Sequence, residues 1–547
     1  MKNNWIYIIC VGLAVTLNFS CKKTLTENNP GGLTSEAVFT TPAGFETLVN
    51  AAYSYQRWWY GKEEGYSMSE MGTDIWTSCA GDVFPDLNRY INLQGSNSAV
   101  TLMWQQLYSA VNLCNAGIKR IGGVGYPAAL QTTREAELKF LRAFYYWHIV
   151  ETWGNVNFTI DETMGIVTTA NRTPVATFYE QIINDLKFAV TNLPTTTTNY
   201  GRVTKYAAEA FLSRIYLNQG MYREASNCAS DVINNGGYSL VANYADLWRM
   251  DNLQNKEVIY AVNYSANLSL NDLKDAILYP YGGARGGNNG HLEFIMKYDD
   301  QPGMVRDLTY GRPFNRYMPT LFLLNLFNDG DDSRYDGSFK TVWYANTTAL
   351  PSGMKFGDTA IFASKNTIPI AVQATKAYRT YDRVKVYRAD GSVLDNLHAV
   401  QLSKFMDPTR PSINEPESAR DVFVIRLAEM YLNAAEAQMK LGNLDSAAYY
   451  VNVVRTRAAK PGHVAYMQIA ASQVNIDFIL DERAREFAGE QIRWFDLKRT
   501  GKLIDRVKAD NPDAATIQNF HTVRPIPQTQ LDAVTNRDVF IQNSGYQ

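Results

Sequence analysis

Two stretches far apart in the chain repeat one pattern. A helical run ends at a glycine, a large apolar residue stands two positions on, and an alanine stands five positions on. The first stretch, 205–235, has Gly220, Tyr222 and Ala225; the second, 421–459, has Gly442, Leu444 and Ala447. A glycine at a helix end admits the left-handed backbone a tight reversal needs. An alanine just after it lets the returning helix pack closely on the first. A helix pair of this kind cannot bury its apolar face alone, so it must stack on other helices.

This is the tetratricopeptide logic of paired helices, with an array that is interrupted rather than tandem. Apolar residues at three- and four-residue steps predict further helices over 44–60, 100–121, 133–152 and 173–192. The last of these is stopped by Leu193-Pro194. Between the two repeated units the pattern breaks down. The stretch 261–420 is rich in Gly, Asn, Asp, Thr and Tyr. It carries β-like runs at 258–262, 341–344 and 383–387 and one helical stretch at 320–327. So much irregular chain inside a compact protein points to functional loops. The expected fold class is mainly α. It is a tetratricopeptide-like helical-repeat scaffold over 35–260 and 421–547, with a large irregular, short-β insertion over 261–420.

The N-terminus has a processing signal. Lys2 gives a short positive region, and an apolar run of signal-peptide length follows, too short for a comfortable membrane span. Ser20 then precedes Cys21. The arrangement resembles a bacterial lipoprotein signal over 1–20, with cleavage before Cys21 and acylation of that residue. The match departs from the usual pattern in placing Leu17 four residues before the cysteine, and a plain secretory signal is the alternative. Residues 21–34, polar and containing Asn28, Asn29, Pro30, Gly31 and Gly32, read as a flexible tether. Beyond Cys10 and Cys21 there remain Cys79, Cys114 and Cys228, enough for one disulfide at most; no CxxC pair exists.

Charge and composition narrow the ligand. There are 52 Lys+Arg against 54 Asp+Glu, so no basic excess is available to neutralise phosphates, and nucleic acid is excluded as a partner. The 34 Tyr, 24 Phe and 10 Trp exceed what disorder would carry, and together with many Asn, Thr and Gly they suit uncharged polar ligands, sugars above all. No Walker A, GxSxG or HExxH occurs. The Gly-Val-Gly at 123–125 follows a helix and runs into Pro127, unlike a dinucleotide fingerprint. The acidic run 329–336 lacks the glycine and glutamate positions of an EF-hand loop. No cofactor, metal or catalytic residue is assigned.

Several motifs occur in a specific order: Phe140-Leu-Arg-Ala-Phe-Tyr-Tyr-Trp147 followed by Trp153-Gly154, Thr320-Leu-Phe-Leu-Leu-Asn-Leu-Phe followed by 329–334, and Arg426-Leu-Ala-Glu-Met-Tyr-Leu-Asn-Ala-Ala-Glu436. The charge-rich run 481–501 comes next, then Arg524-Pro-Ile-Pro-Gln-Thr-Gln-Leu-Asp532 and the ending Gln542-Asn-Ser-Gly-Tyr546. With the lipoprotein start, this series resembles the SusD/RagB family of outer-membrane nutrient-binding lipoproteins over essentially the whole chain. The resemblance implies a non-catalytic, lipid-anchored, surface-exposed protein. It would capture an oligosaccharide and deliver it to a SusC-like TonB-dependent barrel transporter. A peptide-binding member of the family is the alternative, and a secreted glycoside hydrolase a more distant one. Within 481–501, Asp481 with Arg485 and Arg493 with Asp496 are spaced for intrahelical pairs, and Glu482, Glu486 and Glu490 for a structural ion-pair network.

Two segments have the composition of a sugar site, aromatic rings among carboxamides, carboxylates and glycines: 58–90 and 279–317. Within them the candidates are Tyr66, Asp74, Trp76, Tyr281, Arg285, Asn288, Asn289 and Tyr298; polar or glycine neighbours suggest exposure of Tyr66, Trp76, Tyr281 and Tyr298.

Overall fold

The structure, a computed structural model, describes residues 38–267, 270 and 287–547. The long helices are α1 (Pro42–Ser54), α2 (Ser98–Arg120), α3 (Ala128–Trp153), α4 (Val175–Asn192), α5 (Lys205–Asn218) and α6 (Tyr222–Asn235). After the insertion come α7 (Leu427–Lys440), α8 (Leu444–Ala458), α9 (Ile476–Phe487) and the short α10 (Arg493–Arg499). The chain is mainly helical with few short strands.

From α2 to α6 each helix packs on the next, and α6 then packs on α7 as closely as α7 packs on α8. The two repeated helix pairs, distant in sequence, are therefore neighbours in one stack. Local chemistry starts and stops these helices. Asn97 Oδ1 accepts from Val100 N at 3.1 Å at the start of α2, and Thr204 Oγ1 accepts from Ala207 N at 3.3 Å at the start of α5. Gly220 and Gly442 turn at φ of 68° and 83°, and Ala225 and Ala447 behind them are wholly buried. The large residues at the +2 position are not core anchors: Tyr222 is half-buried and Leu444 is exposed.

The loop-rich chain leaves and re-enters the helical stack through one antiparallel pair, β2 (Val258–Val262) with β7 (Val422–Arg426). The expectation of helix from 421 is corrected here. Val422-Phe-Val-Ile-Arg426 is a continuous apolar, β-branched run with every residue buried, which suits a strand, and α7 begins only at Leu427. The run 383–387, expected to be β-like, forms a helical turn. Val386 N donates to the carbonyl of Asp382 at 3.1 Å and Tyr387 N to that of Arg383 at 2.8 Å. The expected helical stretch near 320 is the turn Leu321–Asn325, capped by Thr320 Oγ1.

Between β2 and β7 lies a second core, separate from that of the helical stack. Its sheets are small: β1 (Trp76–Ser78) pairs with β3 (Tyr317–Pro319), and β4 (Val342–Tyr344), β5 (Thr359–Ala363) and β6 (Arg379–Tyr381) form a three-stranded sheet. Tyr66, Met71, Ile75 and Trp76 belong to this second core, although the sequence places them among the N-terminal helices.

A buried ionic hub joins the two halves. Arg334, from the loop half, contacts Asp332 at 2.7 Å and reaches Glu482 at 2.8 Å and Glu486 at 3.1 Å on α9. Glu486 also meets Arg426 and Arg457, and Glu490 meets Arg426 at 2.8 Å and Lys404 at 3.0 Å. Burial pushes Glu482 and Glu486 up, but the surrounding guanidiniums outweigh it and hold both well below the usual carboxylate range. Neither expected intrahelical pair forms; each residue takes another partner, some one turn away and some distant. Arg485 pairs with Glu482, Asp481 with Arg506, Arg493 with Asp74, and Asp496 with Arg483 and Arg499. No helix among the described residues is long and apolar enough to cross a membrane.

Candidate functional site

Cys21, Tyr281 and Arg285 lie outside the described residues. The other nominated side chains are all buried, so the expectation of exposure is corrected for Tyr66, Trp76 and Tyr298. Tyr66 and Trp76 pack edge-on against Phe294, at centroid distances of 5.4 and 4.8 Å, in the second core. Tyr298 is fully buried, with its hydroxyl donating to the carbonyl of Gly311 at 2.5 Å and its ring 5.5 Å from Tyr310. Asn288 donates to the carbonyl of Arg420 at 2.8 Å and accepts from Gly290 N at 2.7 Å. Asn289 donates to the carbonyl of Pro416 at 2.8 Å. Asp74 is gripped by Arg493 at 2.5 Å and Arg506 at 2.9 Å. Burial pushes its carboxyl up, and the two guanidiniums outweigh that and lower it. These residues build the floor of the loop half rather than its surface. Polar neighbours misled because here they satisfy one another inside the protein.

The two segments containing them nevertheless meet. Beyond the β1–β3 pair, Cys79 N donates to the carbonyl of Arg316 at 2.7 Å and Gly81 N to that of Asn315 at 2.9 Å. A third segment closes on both: the carbonyl of Asn396 accepts from Ala80 N at 3.1 Å and from Asn315 Nδ2 at 3.0 Å, and Lys297 N donates to the carbonyl of Leu397 at 2.9 Å. Loops at 79–84, 297–301, 312–316 and 395–398 thus converge on one face. Val83, Asn396 and Leu397 are exposed there, and Arg312 and Phe314 are half-buried. The guanidiniums of Arg312 and Arg316 lie 5.5 and 5.0 Å from the Phe314 ring.

At the edge of this face stands Tyr381, the last residue of β6. Its ring stacks on the imidazole of His398 at 4.3 Å with an interplanar angle of 14°. It is half-buried, and its hydroxyl makes no hydrogen bond among the described residues. Behind it, His398 Nδ1 lies 2.9 Å from Asp395 Oδ2, and Nε2 lies 3.0 and 3.2 Å from the two oxygens of Asp300. Burial pulls the imidazole down, but the two carboxylates more than offset it and raise it above its ordinary value. A half-exposed aromatic ring with one braced face and a free hydroxyl is what a sugar's C–H face and hydroxyl rim can use. Tyr381 and His398 carry no motif in the sequence, because three loops with no shared periodicity bring them together.

Other concavities occur among the described residues. A groove of about 710 Å³ lies between α1, the loop at 199–202 and the end of β2, lined by Asn50, Tyr53, Arg57, Asn199 and Asn263. Another, of about 640 Å³, lies beside the loop at 157–170, with Trp104, Tyr108, Phe158 and Phe540 at its walls. The acidic run 329–336 is met by side chains of the protein itself: Asp329 by Lys365, Asp331 by His463, Asp332 by Arg334 and Asp336 by Lys460. No cluster of potential metal ligands occurs among the described residues. Cys79, Cys114 and Cys228 are free thiols.

A stack of paired helices carrying a loop-built face on a separate core defines a class of helical-scaffold binding protein. The chain belongs to the SusD family, whose model matches residues 256–546; a second model, described as starch-binding associating with outer membrane, matches 48–217. A SusD-like protein of Formosa agariphila is 24% identical over 541 residues, covering 94% of each chain. The starch-binding protein SusD of Bacteroides thetaiotaomicron is 24% identical over 452 residues, covering 76% of this chain and 73% of its own. Among solved structures, a laminarin-binding SusD-like protein superposes with a TM-score of 0.69 at 21% identity, over 92% of this chain and all of that one. A SusD homologue from Bacteroides thetaiotaomicron reaches 0.72 at 19% identity, over 94% and 98%.

Proposed function

We propose that this protein is a non-catalytic, surface-exposed lipoprotein of the outer membrane. It is anchored through Cys21, captures an oligosaccharide and passes it to a SusC-like TonB-dependent transporter. The observation that carries the reading is the loop face itself, with Tyr381 half-exposed at its edge and braced by His398. The relatives that bind starch and laminarin support a glycan as ligand. Absence of turnover is supported by the carboxylates at the platform: Asp300 and Asp395 are both engaged by His398, which leaves neither poised as the acid or base of a hydrolase.

The test is affinity electrophoresis through gels containing a panel of plant, algal and host glycans, with released reducing sugar measured on the same panel. Retardation by at least one glycan without sugar release is expected, and Tyr381→Ala should weaken binding by about tenfold, the scale of one lost stacking contact. Sugar release abolished by a single Asp or Glu substitution would establish a hydrolase instead. Retardation by peptides alone would establish the peptide-binding alternative.

A further inference from the structure

A neutral imidazole has one N–H and one lone pair, so it can serve only one of two facing carboxylates as a donor. His398 faces a carboxylate from each ring nitrogen: Asp395 across Nδ1 at 2.9 Å and Asp300 across Nε2 at 3.0 Å. Only the imidazolium satisfies both, and its ring plane is what Tyr381 rests on. The surrounding contacts fix the two carboxylates. Asp395 accepts from the backbone N–H groups of Leu397 and His398, and Asp300 accepts from Gln301 Nε2, itself 3.0 Å from His398 Nε2. The nearby Lys297 and Arg306 are both bound to Asp299, so neither offers Asp300 a substitute cation. On β6 the Arg379 charge acts on Tyr381 from the strand side, while burial and the two aspartates raise the tyrosine to about 12, keeping it neutral.

We propose that His398 is the positioning residue of the ligand face: as a bridge between Asp300 and Asp395 it holds Tyr381 in place, and loss of its proton releases the ring and weakens ligand binding. When the proton leaves Nε2, its lone pair faces Asp300 across about 3 Å and turns to the Gln301 amide for a donor, so the tie between the 395–398 loop and Asp300 is lost. The sign is set by the bridge. Binding is strongest below the titration midpoint of His398 and falls as the pH rises through it.

The inference rests on the glycan reading for its ligand arm but not for its structural arm. With ¹³C-labelled histidine, the five histidine signals can be titrated and that of His398 assigned by its loss in His398→Gln. Hydrogen exchange of peptides covering 379–381 and 395–398, corrected for intrinsic base catalysis, reports whether the loops loosen. The expected result is a His398 midpoint above 6.5 and exchange that accelerates across it. Affinity for the retarding glycan should fall across the same midpoint by about two- to tenfold, the range of one aromatic contact. His398→Gln should show fast exchange and weak binding at every pH. A midpoint at or below 6.5, or exchange and affinity that ignore it, overturns the proposal and leaves glycan capture standing. If no glycan binds, the functional reading falls while the titration and exchange still decide whether the bridge holds Tyr381. If His398→Gln does not fold, the wild-type titration and exchange decide alone.

Discussion

Asp74 shows what decides a residue's role in this protein. In sequence it stands beside Trp76 and near Tyr66 as a candidate for a sugar site. Its partners in space, Arg493 and Arg506, come from more than four hundred residues away and turn it into a buried counter-ion. Removing one member of such a cluster leaves the others unpaired in a low dielectric. Asp74→Asn is therefore expected to cost about 3–5 kcal/mol of stability, read as a shift in the urea midpoint, with glycan affinity unchanged in the protein that remains folded. Because its carboxyl is held low in the folded state, Asp74 contributes stability above its ordinary 3.8 that is lost as the pH falls through the folded value. Glu70 has the opposite sign. It is buried, and burial raises it to about 8 even though its Oε1 accepts from Ile492 N at 2.9 Å. Stability linked to Glu70 is full below 4.5 and is lost as the pH rises toward 8. Glu70→Gln cannot ionise, so it should gain roughly 1–3 kcal/mol on the wild type between pH 5 and pH 9. A constant difference between the two proteins over that range would refute the buried, protonated carboxyl.

At the scale of elements, periodicity and turn chemistry carried most of the helical half. The helices over 100–121, 133–152 and 173–192 lie within a few residues of α2, α3 and α4, and the two Gly-to-Ala turns are real helix reversals. What local pattern could not reveal was set by distant partners. The strand at 422–426 exists because β2 supplies its hydrogen bonds, and Asp481, spaced i,i+4 from Arg485, pairs instead with the distant Arg506. A local pair of that kind is worth a few tenths of a kcal/mol, too little to hold Asp481 against Arg506 or Arg485 against the fully buried Glu482. The turns allow a sharper test. A Cβ at Gly442 meets nothing within 4 Å, so Gly442→Ala isolates the cost of the left-handed backbone, about 1–2 kcal/mol. Ala447→Leu, at a wholly buried contact between α7 and α8, should cost about 1–3 kcal/mol through overpacking instead. Thermal melts of the two variants and of their double mutant would separate backbone strain from packing; no loss for Gly442→Ala would remove the reason for a glycine there.

Over the whole molecule, the family motifs that looked dispersed in sequence converge on the seam between the two cores. Arg334 follows the helical turn near 320, Arg426 ends β7, and Glu482, Glu486 and Glu490 come from the charge-rich run on and after α9. The seam gives that run a structural role: its carboxylates are engaged by Arg334, Arg426, Arg455, Arg457, Arg485 and Lys404. Of the proposed ligand face only the composition of two contributing segments was legible, because its surface residues come from loops whose positions depend on this seam and on the second core. If the hub couples the halves, they should unfold together. Arg334 is fully buried and touches three carboxylates, so Arg334→Met strands Asp332, takes one guanidinium from each of Glu482 and Glu486, and should cost about 3–5 kcal/mol. Hydrogen exchange should then show the loop half opening before the helical stack, whereas in the wild type both open in one transition. Acid gives the same test without mutation. Glu482 and Glu486 lie well below their ordinary 4.5 when folded, so the stability they supply is full above that value and drains as the pH falls through the folded values. A single cooperative loss of both cores below about pH 4 is the expected outcome. Separate acid transitions for the two halves would show that the hub holds charge without coupling them.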